Sequence, residues 1–188
     1  MQESKSRLTL KLRKKLKNYL NNKSIIDILV IGSAIKSKFK PNDLDLIVLF
    51  RDNSGSSENL LYNIKKSIEI PNLHIEPLFI DDLFKSKISP SIIHEAISLK
   101  HNSAISELLG YKSFSLFSFS LEKLPNVKKV RFAQTLYGRN KDGLLSKSKG
   151  QVLGKGAFII PVETEELFKE LMASFHVNYK VFRVLIKN

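Results

Sequence analysis

Ile26-Asp27-Ile28-Leu29-Val30-Ile31-Gly32-Ser33, nine further residues, then Asp43-Leu44-Asp45-Leu46-Ile47-Val48-Leu49-Phe50: the rest of the chain is read outward from this stretch. Two apolar runs bracket a small-residue turn and a pair of carboxylates. Strand side chains alternate faces, so Asp43 and Asp45 project from one side of the second run, about 6 to 7 Å apart along it. Asp45 lies between Leu44 and Leu46 in a run apolar on both faces, where a carboxylate without a partner is costly.

Gly-Ser after a strand is, taken alone, a turn, and Pro41-Asn42-Asp43 reads as a turn entering a strand. Taken together the two features suggest more. Two carboxylates on one strand face can share a divalent metal. Gly32 lets backbone approach a ligand closely, and Ser33 adds a hydroxyl near amides suited to phosphate oxygens.

The pattern of apolar strand, Gly-Ser, about ten residues and Asp-x-Asp within an apolar run resembles the signature of the polymerase-beta-like nucleotidyltransferase superfamily, over roughly residues 25 to 80. The resemblance implies that Asp43 and Asp45 bind metal and act in catalysis, and that a later strand supplies a third carboxylate. Leu73-His74-Ile75-Glu76-Pro77-Leu78-Phe79-Ile80 is the next strand-like run, and Glu76 is the candidate within it. Two Mg2+ ions, or Mn2+ in their place, are the implied cofactors. Gly32, Ser33 and Lys36 are the implied nucleotide-binding residues, with an NTP, ATP foremost, as donor. Pro77 cannot donate a ladder hydrogen bond, so its strand is expected to lie at a sheet edge or to be interrupted there. Asp81 or Asp82 could replace Glu76, although both read better as the opening of a short helix.

The 188 residues, 43% hydrophobic and 9% aromatic, suffice for one compact domain or two small ones. Without cysteine there is neither a disulfide nor a thiolate zinc site, and the four histidines have no metal-ligand spacing. Any metal should have oxygen ligands. With no apolar leader and no run near ~20 apolar residues, a cytoplasmic protein without a membrane partner is expected.

Thirty-one Lys and Arg against eighteen Asp and Glu give a net charge of +13. The excess is clustered: residues 1–40 hold eleven basic and two acidic side chains, and residues 123–155 nine and one. Such clustering favours a polyanionic partner, RNA rather than DNA. Lys128, Lys129, Arg131, Arg139, Lys141 and Lys155 are the nucleic-acid-binding candidates, with the N-terminal basic helix beside them.

The expected fold class is α+β. A nucleotidyltransferase-like domain over 1–110, a small mixed sheet covered on one side by helices, is followed by a basic α+β domain over 111–188 that could bind RNA. A helix is expected from Ser6 to about Asn21, another up to about Glu69, one from Ser89 to Leu99, and one from Ser103 to Leu109 closed by Gly110. Residues 113–121 read as a strand with a bulge at Leu116-Phe117, and Asn126 as the cap of a helix ended by Gly138. Strands at 144–148 and 157–162, a helix at 164–175 and a strand at 177–186 follow a ferredoxin-like βαββαβ order, the alternative being that they extend the first sheet. Lys155-Gly156-Ala157-Phe158 loosely resembles a strand of RNA-recognition modules.

The function expected is metal-dependent transfer of an NMP from an NTP to an acceptor hydroxyl, on RNA. The alternatives are an antitoxin-like enzyme that adenylylates a protein partner, and a non-catalytic RNA-binding protein on the same scaffold.

Overall fold

The computed structural model describes residues 2–32, 44–52, 55, 57–68, 70, 72–140 and 142–187. The fold is α+β, in two compact units, Met1–Gly110 and Tyr111–Asn188.

The first unit begins with helices α1 (Gln2–Lys15) and α2 (Lys17–Leu20). Strands β1 (Ile25–Ile31) and β2 (Leu44–Phe50) follow, then α3 (Ser57–Ser67) and β3 (Leu73–Phe79). Helix α4 (Ser89–Glu95), the short strands β4 (Ile97–Ser98) and β5 (Ser103–Ala104), and α5 (Ile105–Leu108) complete it. The sheet order is β3-β2-β1-β4-β5; β2 and β3 are parallel and the other pairs antiparallel. β3 is an edge strand, which accommodates Pro77.

β1 and β2 are apolar at almost every position because both sheet faces are covered. On one face Leu12, Leu16 and Leu20 of the N-terminal helices and Ile64 of α3 pack against Ile28, Val30, Leu46 and Val48. On the other, Ile92 and Ala96 pack against Leu29, Ile47, Leu49 and Leu78. Helices on a single side are the expectation from sequence; the second layer escapes it because α4 is short, with Ile92 its one buried apolar residue. α4 stops at Glu95, not Leu99, since Ala96 turns extended and leads into β4. Likewise Ser103–Ala104 is strand, leaving α5 a single turn.

The second unit runs β6 (Tyr111–Ser120), α6 (Asn126–Tyr137), α7 (Leu144–Lys147), β7 (Gln151–Gly154), β8 (Ala157–Pro161), α8 (Glu165–Phe175) and β9 (Asn178–Lys187). Its sheet order is β7-β8-β6-β9 with every pair antiparallel, a βαββαβ arrangement. Phe117 and Phe158 stack with ring centroids 5.0 Å apart, and Phe132 and Phe168 are fully buried with them. The expected bulge is absent: β6 pairs with β9 in unbroken register from Tyr111 to Ser120. The phase slip in the sequence arises because the strand carries apolar residues on both faces. Phe117 and Phe119 join the helix-covered core, while Phe114 and Leu116 alternate to the opposite face.

Residues 144–147 are helical, not the expected strand, and the strand is Gln151–Gly154. A four-residue Leu-Leu-Ser-Lys segment has too little periodicity to distinguish the two. Asn126 is the first helical residue of α6 and makes no cap hydrogen bond. Ile80–Asp82 is a single 3-10 turn without a side-chain cap from either aspartate.

Candidate active site

Asp45 lies near the start of β2, opposite Ile31 of β1 and beside His74 of β3. Leu44, Leu46, Leu73 and Ile75 belong to the core on one face, so Asp45, His74 and Glu76 share the other. Glu76 stands beside Ile47, one step further along the parallel pair. Strand spacing and rise put its Cα about 8 Å from that of Asp45. Asp45 is half-buried; His74 and Glu76 are exposed.

Gly32 completes this corner. Its φ is +84°, a left-handed conformation that favours glycine. A Cβ built there would stand 2.5 Å from Asp45 Oδ2, so the carboxylate occupies the space a side chain at position 32 would need. Asp45 and Glu76 carry hard oxygen donors, the kind a divalent cation takes. Ser33, Lys36 and Asp43 lie outside the described residues. Among the described residues no three His, Cys, Asp or Glu side chains gather as a metal-holding group. Asp81 and Asp82 are exposed on the turn after β3, and Asp82 lies 3.8 Å from Lys85.

Below this corner Asp27, 6% exposed, ties β1 to the segment after β4. Its carboxylate accepts hydrogen bonds from Ser98 Oγ (2.5 Å), Lys100 N (3.1 Å) and Ile28 N (2.7 Å). Ser98 Oγ in turn accepts from His101 N at 2.9 Å. Asp27 thus has a structural function, flagged in the sequence only as a lone carboxylate in an apolar run.

No family model matches the chain, nor does any curated protein or solved structure.

The basic candidates separate. Arg131 and Arg139 line one open cleft of about 770 Å³ in the second unit, joined by Lys147, which the sequence reading did not single out. Lys128 and Lys129 of α6 and Lys155 of the β7–β8 turn are not among its lining residues, and Lys141 lies outside the described residues. In the first unit Arg13, Lys14, Lys17 and Lys100 border a smaller hollow, about 320 Å³, where Arg13 Nη2 donates to Lys100 O at 3.2 Å. Phe158 is fully buried, so the Lys155-Gly156-Ala157-Phe158 segment presents no aromatic ring for base stacking. No helix among the described residues is long and apolar enough to cross a membrane.

The second unit also holds a buried carboxylate. Glu165, 2% exposed at the start of α8, accepts from Ser115 Oγ at 2.6 Å and pairs with Lys169 (2.6 Å) and Arg183 (3.3 Å). Burial alone would raise its pKa. The hydrogen bonds from Lys169, Ser115 and Arg183, with the Arg183 charge, outweigh burial and hold it down to about 2.

Proposed function

We propose that the chain is a metal-dependent nucleotidyltransferase that moves a nucleoside monophosphate from an NTP, ATP foremost, to an acceptor hydroxyl on RNA. The observation that carries this reading is the Asp45 carboxylate packed over Gly32, on the sheet face that also bears Glu76. Asp43, Asp45 and Glu76 would hold Mg2+ or Mn2+, which when bound neutralises phosphate charge and lowers the pKa of the attacking hydroxyl. Gly32, whose missing Cβ makes room for the Asp45 carboxylate, and Lys36 would contact the triphosphate. Glu76, exposed at the edge strand, accepts the hydroxyl proton. The acceptor oxygen forms its bond to the α-phosphorus as the bond to the bridging oxygen breaks, and pyrophosphate leaves with the electron pair. The net charge of +13 favours a polyanionic acceptor.

The test is incubation of the purified chain with α-labelled ATP, Mg2+ and RNA, followed by denaturing electrophoresis. Label should enter RNA, and Asp45→Asn or Glu76→Gln should lower transfer about a hundredfold or more. Turnover unchanged in both variants overturns the assignment. Label entering protein of an added lysate instead would move the reading to protein adenylylation, and no label anywhere to a non-catalytic RNA-binding protein.

A further inference from the structure

The α6–α7 corner of the second unit has features that general basicity does not explain. Arg131, Gln134, Thr135 and Gly138 follow one another at i, i+3, i+4 and i+7, so α6 presents them on one face while Phe132 and Leu136 face the core. The chain then turns sharply. Gly138 has φ +78°, and a Cβ there would collide with Asp142 and the Gly143 nitrogen; one at Gly143 would collide with the backbone of Leu136, Tyr137 and Gly138. The two glycines cross in contact, and Gly143 N donates to Tyr137 O at 3.2 Å. This crossing fixes Arg139 and Asn140 at the rim of the cleft and folds the Asp142 carboxylate back toward Gly138.

The cleft that results measures about 770 Å³, within the range of small-molecule sites. Its lining combines cations, amides, an aromatic ring, the Thr135 hydroxyl and one carboxylate, Asp142. Arg131, Arg139 and Lys147 are exposed cations in no ion pair with a described residue. Gln134 and Asn140 offer amide donors and acceptors. Phe175, braced against Phe132 with centroids 5.5 Å apart and planes at 77°, supplies an aromatic surface. Cations alone would suit any anion. An aromatic surface, paired amides and guanidinium groups in one nucleotide-sized hollow match a base and its phosphate together.

From these observations we infer that the cleft over the Gly138–Gly143 crossing binds a 5′-phosphorylated nucleotide unit, either free or as one residue of single-stranded RNA. Arg131, Arg139 and Lys147 take the phosphate, Phe175 stacks on the base, and Gln134 and Asn140 read its edge. Every lining residue belongs to the second unit, so the site does not require the catalytic reading of the first. Only its use for an acceptor strand rests on that reading.

The experiment uses the full chain in EDTA, which silences any metal-dependent nucleotide binding. AMP is titrated by calorimetry, and a fluorescein-labelled RNA 12-mer by anisotropy, each with and without the other. AMP that binds and displaces the 12-mer places both on one site; AMP alone binding identifies a free-nucleotide site, and the 12-mer alone a strand site. In each supporting case Arg139→Ala should weaken binding about five- to tenfold and Arg131→Ala/Arg139→Ala about fiftyfold, with Arg139→Lys recovering part. Phe175→Leu should weaken AMP more than inorganic phosphate. Asp45→Asn should bind as the parent does, so loss of transfer and loss of this site are read separately. Binding unchanged in the double variant at an unchanged melting temperature, or no binding of either probe, overturns the inference.

Discussion

The two units bury their sheets by different means. The first sandwiches its strands between helical layers and fills both interfaces with Leu, Ile and Val, with Phe50 and Phe79 as an aromatic pair at its margin. The second packs a cluster of phenylalanines on one face of its sheet and leaves Phe182 and Ile186 of β9 52% and 42% exposed. Their buried acids differ in the same way. Asp27 is held by a hydroxyl and backbone amides, Glu165 by two cations and a hydroxyl. In the two-sided interior neutral donors satisfy the Asp27 carboxylate. A one-sided interior keeps long cationic side chains within reach, their heads near water.

The contrast can be broken most directly at the aromatic cluster. Phe117→Ala should cost the second unit about 4 kcal/mol and speed amide exchange through β6, β8 and α8. Equal loss of protection in β1 and β2 would mean the two interiors are not separate in energy. Next in size is Glu165→Gln, at about 3 kcal/mol, because Arg183 and Lys169 would keep their charge beside a neutral amide.

The same carboxylate sets a pH dependence. Its folded pKa of about 2 lies below the ordinary 4.5, so its contribution is complete above pH 4.5 and is lost as pH falls toward 2. Urea midpoints of the second unit measured between pH 5 and 2.5 should fall less steeply in Glu165→Gln than in the parent. Identical slopes would remove Glu165 as the cause.

A smaller effect is expected in the first unit. Ser98→Ala removes a donor to Asp27 and an acceptor for His101 N, and should cost about 1 to 2 kcal/mol in chemical denaturation. The smallest change runs in the opposite direction. His176 closes α8 at φ +58°, and His176→Gly should raise the melting temperature of the second unit by stabilising it about 0.5 to 1 kcal/mol.

The difference between the units also governs what their sequences disclose. In β1 and β2 nearly every residue is apolar, so Asp27 and Asp45 stand out as exceptions that demand a reason, and the strands themselves are readable to within a residue or two. In β6 serine alternates with phenylalanine, and Ser115 looks no different from Ser113 or Ser118. Its contact with Glu165 spans fifty residues of sequence, and no local period announces it. The α6–α7 cleft is hidden for a related reason. Arg131, Lys147 and Phe175 come from three segments far apart in sequence, brought together by the Gly138–Gly143 crossing and by the packing of Phe175 on Phe132. The pair Gly138 and Gly143 was the available signal, since closely spaced glycines flanking polar residues mark a tight turn.

The unbroken β6–β9 register carries a mechanical consequence. Tyr111 and Lys187 are partners at one end of an antiparallel ladder, so the strand entering the second unit and the strand leaving it sit side by side. A pull exerted across those two residues loads the rungs one after another, as in a zipper, and does not shear all of them at once. Under such a load the ladder opens rung by rung from its Tyr111 end.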